Sequence, residues 1–416
     1  MKELFTVFGR IGLLSFGGPA AQIALMHQEL VDKRGWLSED QFLRALSFCM
    51  LLPGPEAMQL ATYAGWKRGG VVGGLIGGGL FVLPGALVIA VLALLYGVYG
   101  NLPVVQALFV GVQATVIVVV IAALIKIAGR ALIGRAHLAI AIAAFIALFF
   151  FAVPFPVVVL LAGIAGALMP HEATKALPLP GGSFRKAGRV LLVGGALWAA
   201  PVIAVAVSGS GFLLDIATFF SVLAVVTFGG AYAVLAYMTQ EAVFSYGWLT
   251  TPQMMDALGL AETTPGPLIL VTQFVAMIAG LAQGGVMLAL VAGALTLWVT
   301  FVPCFIWIFA GAPLIDWLDG RPRLRAALAG ITAAVVGVIA NLSLWFALHV
   351  LFDDVTRLQS GVINMVIPDP SSLQPLALVL IAVAAVLLLR LKWSLLRVLP
   401  LVALLGWAVT LVAAVA

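Results

Sequence analysis

Long apolar segments separated by short polar loops run along the whole chain. Eleven of them are long enough to cross a hydrocarbon layer of roughly 30 Å as helices. They lie near residues 4–26, 42–66, 71–99, 104–125, 188–207, 212–238, 253–276, 286–310, 326–351, 375–389 and 395–416. Backbone polar groups in lipid must be satisfied within their own segment, and no alternating barrel pattern is present, so the spans are predicted to be helices.

One further apolar stretch, 138–169, has a different pattern. It is about 32 residues long and carries Pro154 and Pro156 near its centre. We interpret it as a hairpin of two short helices. The sequence therefore predicts an all-α polytopic membrane protein with about thirteen transmembrane helices.

The distribution of basic residues predicts the orientation, because cytoplasmic loops collect Lys and Arg. With the N-terminus inside and the hairpin returning to its own side, most of the basic residues fall in inner loops. The outer loops then hold only Lys33, Arg34 and Arg357. The N-terminus is therefore predicted to be cytoplasmic.

Composition excludes several other classes of protein. Hydrophobic residues make up 64% of the chain and charged residues 9%, and the mean hydropathy is +1.21, so no single soluble core could bury the chain. The excess of 21 basic over 16 acidic residues is explained by topology, and no nucleic-acid partner is predicted. Cys49 and Cys304 lie far apart in apolar runs, which argues against a disulfide framework. The four histidines lack the spacing of metal ligands, so no metal site is expected.

The chain contains an internal duplication. Residues 16–55 match 228–267 without a gap at 18 of 40 positions. The predicted organisation is a first repeat over 1–170, a cytoplasmic linker over 171–187 and a second repeat over 188–416. Because the first copy begins inside and the second outside, the repeats are predicted to be inverted, as in many secondary transporters.

Two Gly and Pro motifs interrupt the spans near the middle of the membrane, and both occur in each repeat. The four helix starts they create would aim backbone N–H groups and positive dipole ends at the midplane, an arrangement that suits a small dianion. A packing role for Gly and Pro in membrane helices is the alternative. The predicted substrate-binding residues are Gly17, Gly18, Pro19, Pro53, Gly54, Pro55, Gln59, Gly229, Gly230, Pro265, Gly266 and Pro267.

Ionisable residues inside spans are costly and therefore need a partner or a role. Glu56 follows the first Pro-Gly-Pro directly and Glu262 precedes the second, so both are candidates for proton coupling or gating. Glu56 could equally be a helix cap. Arg10 and Arg44 either attract an anion or extend to the membrane surface.

These motifs resemble those of the chromate ion transporter superfamily, long two-domain type. The resemblance rests on Ser15-Phe16-Gly17-Gly18-Pro19, on Gly35-Trp36-Leu37, on the run from Leu51 to Tyr63 and on their second-half partners. The resemblance implies a carrier of the bacterial inner membrane, with two homologous halves of opposite orientation, that exports chromate from the cell and so confers chromate resistance. The two repeats differ at two of these positions. Ala231 is the second-repeat equivalent of Pro19, and Leu268 is the equivalent of Glu56.

Other functions stay open at this point. Chromate and sulfate are both tetrahedral dianions, so sulfate or oxyanion uptake by proton symport is an alternative. A membrane enzyme would need clustered catalytic groups, which the loops do not offer, and a scaffold would transport nothing. The chain has no P-loop, so no ATP-driven cycle, cofactor or catalytic residue is predicted. A homodimer is left open.

Overall fold

A computed structural model describes residues 1–16, 18–169, 183–228, 231–315, 321–361 and 363–415. The predominantly helical fold confirms the prediction from the apolar pattern. These residues form fifteen α-helices. In chain order they are α1 (Lys2–Leu14), α2 (Gly18–His27), α3 (Glu39–Leu51), α4 (Glu56–Tyr99), α5 (Pro103–Ala131), α6 (Arg135–Phe151), α7 (Phe155–Leu168), α8 (Ser183–Ser208), α9 (Gly211–Val226), α10 (Ala231–Thr239), α11 (Thr251–Thr263), α12 (Val271–Gly311), α13 (Pro322–Leu351), α14 (Pro375–Ala385) and α15 (Leu395–Val415). Most of the predicted linker lies outside the described residues.

Six helical segments in the described chain are long and apolar enough to cross a membrane. They are Glu56–Tyr99, Pro103–Ala131, Phe184–Ser208, Leu268–Leu314, Pro322–Leu351 and Leu395–Val412. The predicted number of about thirteen crossings is not confirmed. The stretch 138–169 does form two short helices, α6 and α7, on either side of the predicted break.

Two of the long helices fold back on themselves at a glycine pair. In α4 the backbone leaves helical geometry at Gly69 and at Gly70, whose φ of 62° suits glycine. A Cβ on Gly65 would lie 2.2 Å from the carbonyl oxygen of Gly73, so the two arms of α4 pack closely side by side. In α12 the same reversal occurs at Gly284 and Gly285 (φ 75°).

The first two predicted spans also reverse direction. The guanidinium carbon of Arg68 lies 5.6 Å from the centre of the Trp36 ring. A straight segment 42–66 would hold these two residues roughly 40 Å apart, at 1.5 Å per residue. The Phe8 ring lies 6.1 Å from the same Trp36 ring. The chain therefore turns back at the breaks near residues 15–17 and 53–55 and forms two helical hairpins.

This geometry corrects one prediction about sidedness. The sequence pattern placed Lys33 and Arg34 in an outer loop, at the opposite end from Lys67 and Arg68. The structure brings the loop of Trp36 to the same end as Arg68, because the intervening helices go out and return. Lys33 and Arg34 therefore lie at the same end of these helices as Lys67 and Arg68.

The turn between the hairpins recurs in the second repeat. Gly35 and Gly247 have φ of 59° and 60°. The N–H of Trp36 donates to the Leu30 carbonyl over 2.8 Å, and the N–H of Trp248 donates to Ala242 over 2.7 Å. The duplicated sequence therefore gives the same local fold twice.

Contacts divide the described chain into two compact units, each built from both repeats. Unit 1 comprises Met1–Ala93, Ala167–Val234 and Thr264–Leu328, and unit 2 comprises Leu94–Gly166, Leu235–Thr263 and Ala329–Ala416. In unit 2 a buried cluster joins α5, α14 and α15. Its members are Ala114, Val118, Leu380, Ala384, Val398 and Val402.

The apolar pattern does not predict a short β-hairpin that the structure contains near residue 360. Strands β1 (Val355–Ser360) and β2 (Ile363–Pro368) pair antiparallel, with Val355 opposite Pro368 and Ser360 opposite Ile363. Gly361, with φ 59°, stands at the turn. The segment is too short and too polar to have counted as a membrane span.

Candidate functional site

The first Pro-Gly-Pro motif separates two short helical arms. Helix α3 ends at Leu51 and α4 begins at Glu56, and the carbonyl of Pro55 accepts the first hydrogen bond of α4, from the N–H of Gln59 over 3.1 Å. In the described part of the chain the first-turn amides of residues 56–58 donate to no backbone carbonyl. The predicted start of a half-helix directly after the motif is therefore present.

Reciprocal hydrogen bonds join the breaks of the two repeats. The N–H of Gly54 donates to the carbonyl of Thr227 over 2.8 Å, and the N–H of Gly266 donates to the carbonyl of Ser15 over 2.9 Å. Ser15 and Thr227 are equivalent in the duplication, as are Gly54 and Gly266. Gly54 is thus attached to the end of α9 in the second repeat and Gly266 to the end of α1 in the first, and all four residues lie in unit 1.

Two buried glutamines support these junctions. Gln22 on α2 donates its amide hydrogen to the Gly266 carbonyl over 2.7 Å, and Gln59 on α4 donates to the Pro53 carbonyl over 2.7 Å. Both side chains are at most 2% exposed. Gln22 brings the helix that begins at Gly18 and Pro19 to the second Pro-Gly-Pro. Gly17, Gly229 and Gly230, also predicted for the site, lie outside the described residues.

Close backbone approach explains the glycines of the motif. Gly54 has φ 115°, and a Cβ there would meet Cys304 Sγ at 2.8 Å and Gln59 Nε2 at 2.9 Å. Gly266 has φ 89°, and a Cβ on its neighbour Gly85 would lie 2.1 Å from the Pro265 carbonyl oxygen. A positive φ favours glycine at Gly54 and Gly266, and lack of space excludes a side chain at Gly54 and Gly85.

The interior of unit 1 contains many buried polar side chains. Buried there are Ser15, Gln22, Gln59, Thr62, Thr227, Thr264, Thr272, Gln273, Thr296 and Thr300. Among the described residues, Gln59 Oε1, Gln273 Oε1, Thr296 Oγ1 and Thr300 Oγ1 have no protein hydrogen-bond partner. A buried polar group left unpaired costs about 1–3 kcal/mol.

The two copies of the site differ in access. Glu56, in the first turn of α4, is partly exposed. Its equivalent Leu268 is 4% exposed and opens a short 3₁₀ turn, Leu268–Leu270, that precedes α12. The helix start after Pro53-Gly54-Pro55 is therefore the more open of the two.

Arg10 and Arg44 lie at the surface rather than among these buried side chains. Arg10 is exposed on α1, and the exposed Arg44 pairs with Asp40 at 2.8 Å. These positions agree with the alternative that both extend to a surface. Glu262 is buried near the end of α11, three residues before Pro265.

Sequence reasoning missed one buried carboxylate. Asp256 on α11 is 6% exposed, in unit 2. The criterion that selected Glu262, an ionisable residue within the apolar span 253–276, applies to Asp256 equally. It received no role because it lies away from the Pro-Gly-Pro motif in the sequence.

Comparison with known proteins decides the family. The sequence model of the family described as "Chromate transporter" matches residues 2–167 and again 214–408. The chain belongs to the chromate transporter family. The double match reflects the duplication, and the part of the chain between the two matches includes the predicted linker.

Relatives within the family match along most of their length. A "Chromate transport protein" of Pseudomonas aeruginosa is 34% identical over 343 residues, covering 81% of this chain and 79% of the relative. A "Probable chromate transport protein" of Synechococcus elongatus is 30% identical, covering 82% and 83%. A "Chromate transport protein" of Cupriavidus metallidurans is 30% identical, covering 86% and 85%. No solved structure gives a significant match.

Proposed function

We propose that this chain is a secondary carrier that exports chromate, a tetrahedral oxyanion with two negative charges. The observation that supports it best is the reciprocal pair of hydrogen bonds, Gly54 to Thr227 and Gly266 to Ser15, which holds the breaks of both repeats together inside unit 1. The names of the three relatives make chromate the first substrate to test.

The electrostatics of the breaks fit an anion. Each helix N-terminus carries about half a positive charge, so four of them would offset roughly two negative charges. Backbone amides and hydroxyl groups bind an oxyanion without a lysine or arginine, which would hold a dianion too tightly for release. The Thr300 hydroxyl, which has no hydrogen-bond partner among the described residues, is an additional donor near the breaks, since Thr300 lies one turn before Cys304, which faces Gly54.

We place the two helical hairpins of the first repeat as re-entrant segments. Helices α1 and α3 have 13 residues each, or about 20 Å, which is too short to cross roughly 30 Å of hydrocarbon. Their tips would therefore end inside the membrane, where the site was predicted. With Lys33 and Arg34 moved to the cytoplasmic side, the positive-inside bias becomes stronger.

Export is the direction that the membrane potential favours. A dianion leaving a cell that is negative inside gains roughly 4.6 kcal/mol per 100 mV, from about 2.3 kcal/mol per charge. Export to the outside of a bacterial inner membrane would confer chromate resistance. Uptake of the same ion would require co-transported cations.

Glu56 would act as a gate at this site. Its carboxylate stands in the first turn of α4, where it interacts with the same helix dipole that would attract the substrate. Substrate entry would then require Glu56 to move away or to take up a proton. This position also favours the second candidate, oxyanion uptake with protons, because a carboxylate beside the substrate links the two ions.

The test is counterflow of radiolabelled chromate and sulfate into proteoliposomes at imposed potentials of either sign. We expect chromate flux that follows the potential in wild type and is abolished in Pro55→Ala. Pro103→Ala is the matched control, because Pro103 also begins a helix but is exposed. Absence of flux in well-inserted wild type refutes the carrier. Normal flux in Pro55→Ala refutes the site, and pH-dependent sulfate uptake lost in Glu56→Gln favours the second candidate.

A further inference from the structure

Unit 2 contains a buried carboxylate held by two neutral donors. The hydroxyl of Tyr96 donates to Asp256 Oδ2 over 2.6 Å, and the side-chain amide of Gln113 donates to Asp256 Oδ1 over 2.7 Å. Asp256 is 6% exposed and lies on α11, within a predicted membrane span. Both carboxylate oxygens are therefore fixed by side chains from α4 and α5.

Packing places these three side chains together. Gly259 lies one turn after Asp256, and a Cβ there would meet Val112 Cγ1 at 2.1 Å, so α11 approaches α5 closely beside Gln113. The Tyr96 ring meets Phe109 edge to face at 5.6 Å. The carboxylate is thus held in one geometry by helices that are distant in the sequence.

Within the described residues, no cation neutralises the Asp256 carboxylate. Among the described residues no Lys, Arg or His lies within ion-pair distance of Asp256. The titratable group that faces it from α4 is Tyr96, and α5 presents the neutral Gln113. The basic residues of α5, Lys126 and Arg130, begin 13 positions further on, about 20 Å along the helix. On α11 itself Glu262 is six residues away. An intramembrane carboxylate without a basic partner is costly when charged, and a proton removes that charge.

The duplication does not account for Asp256. The equivalent position in the first repeat is Arg44, which is exposed and paired with Asp40. Glu262 likewise has Met50 as its equivalent. The helix breaks occur in both repeats, whereas the carboxylate of Asp256 has no equivalent in the first repeat. Its role is therefore separate from that of the symmetric breaks.

We propose that Asp256 is a proton-binding site coupled to oxyanion transport, with Tyr96 and Gln113 as its positioning residues. The carboxylate binds a proton on Oδ2 and forms the neutral acid, whose new O–H donates to the Tyr96 oxygen. Release of the proton restores the two observed hydrogen bonds. This inference rests on the proposed function, because it assigns the coupling ion of that carrier.

The experiment compares net chromate flux across an imposed pH gradient, at zero potential, with chromate exchange at uniform pH. Net flux requires the carrier to bind and release its proton in each cycle, whereas exchange can proceed with the proton bound. We expect at least a tenfold acceleration of net flux by the gradient in wild type. Asp256→Asn should lose this acceleration and retain exchange. Asp215→Asn, which removes an exposed carboxylate from α9, should keep both.

A second variant keeps the proposal testable if Asp256→Asn inserts poorly. Tyr96→Phe removes one donor to the charged carboxylate and should move the midpoint of the pH profile for net flux to higher pH, by about half a unit or more. The proposal is overturned if Asp256→Asn keeps the gradient dependence or if the Tyr96→Phe midpoint does not move. Wild-type net flux that the pH gradient does not accelerate, with exchange intact, also overturns the proposal and leaves the carrier itself unaffected. Failure of wild-type exchange overturns the proposed function itself.

Discussion

Replacing Gly54 by alanine tests whether the geometry of the Pro-Gly-Pro turn is required. The new Cβ would adopt φ 115° and would lie 2.8 Å from Cys304 Sγ and 2.9 Å from Gln59 Nε2. Positive φ costs a non-glycine residue about 1–2 kcal/mol. Displacing Gln59 from the Pro53 carbonyl adds about 1 kcal/mol. The expected loss is therefore roughly 2–3 kcal/mol, apart from any rearrangement of Cys304.

The assay measures thermal unfolding in detergent together with chromate counterflow. We expect Gly54→Ala to lower the melting temperature by several degrees and counterflow at least tenfold, the factor that about 1.4 kcal/mol represents. Adding Cys304→Ala removes the contact with Sγ and leaves the positive φ, so the double variant should recover part of the loss. Gly79→Ala is the matched control, because a Cβ at Gly79 has no heavy atom within 4 Å. Wild-type stability and flux in Gly54→Ala would show that the turn tolerates a side chain and that its glycine has no role at the site.

Three further predictions follow from other parts of the molecule. Lys33→Cys should be labelled by an impermeant maleimide from the same side of the membrane as Lys67→Cys and from the opposite side to Asn101→Cys. Cys49 and Cys304 are buried and should not react. Labelling of Lys33→Cys from the same side as Asn101→Cys would show instead that residues 42–66 cross the membrane as one straight span. The hydrogen bond to Glu39 raises the pKa of His27 above 6.5, so the pair adds at most about 1 kcal/mol of stability, which is full below pH 6.5 and is lost as the pH rises through the raised pKa. The difference in melting temperature between wild type and His27→Ala should therefore shrink from pH 6 to about pH 9. A difference that stays constant with pH contradicts this prediction. Gly111→Ala should destabilise the protein, because the new Cβ would lie 2.1 Å from the Val402 carbonyl oxygen. Gly129→Ala is the control, because a Cβ at Gly129 has open space. Equal unfolding temperatures for the two variants would mean that α5 and α15 can separate without cost.

The sequence by itself determined the membrane character, the duplication and the positions of the breaks. Apolar length and the scarcity of charge leave a chain of this kind no other stable environment, because no soluble core could bury it. Glycine and proline act locally, through φ and a missing N–H, so helix ends at Leu51 and Glu56 follow from the motif between them. The two short helices on either side of Pro154 follow for the same reason.

The tertiary structure alone decided where each broken helix leads and what it contacts. A straight crossing and a re-entrant hairpin have the same apolar pattern, so the sequence of residues 42–66 fits both. The position of Trp36 beside Arg68 identifies the hairpin. The bond from Gly54 to Thr227 joins residues that no local pattern relates. Asp256 acquires its surroundings from Tyr96 and Gln113, which are 160 and 143 positions away in the chain. Local sequence specifies dihedral angles and burial, whereas the partner of a buried polar group depends on which distant helices pack together.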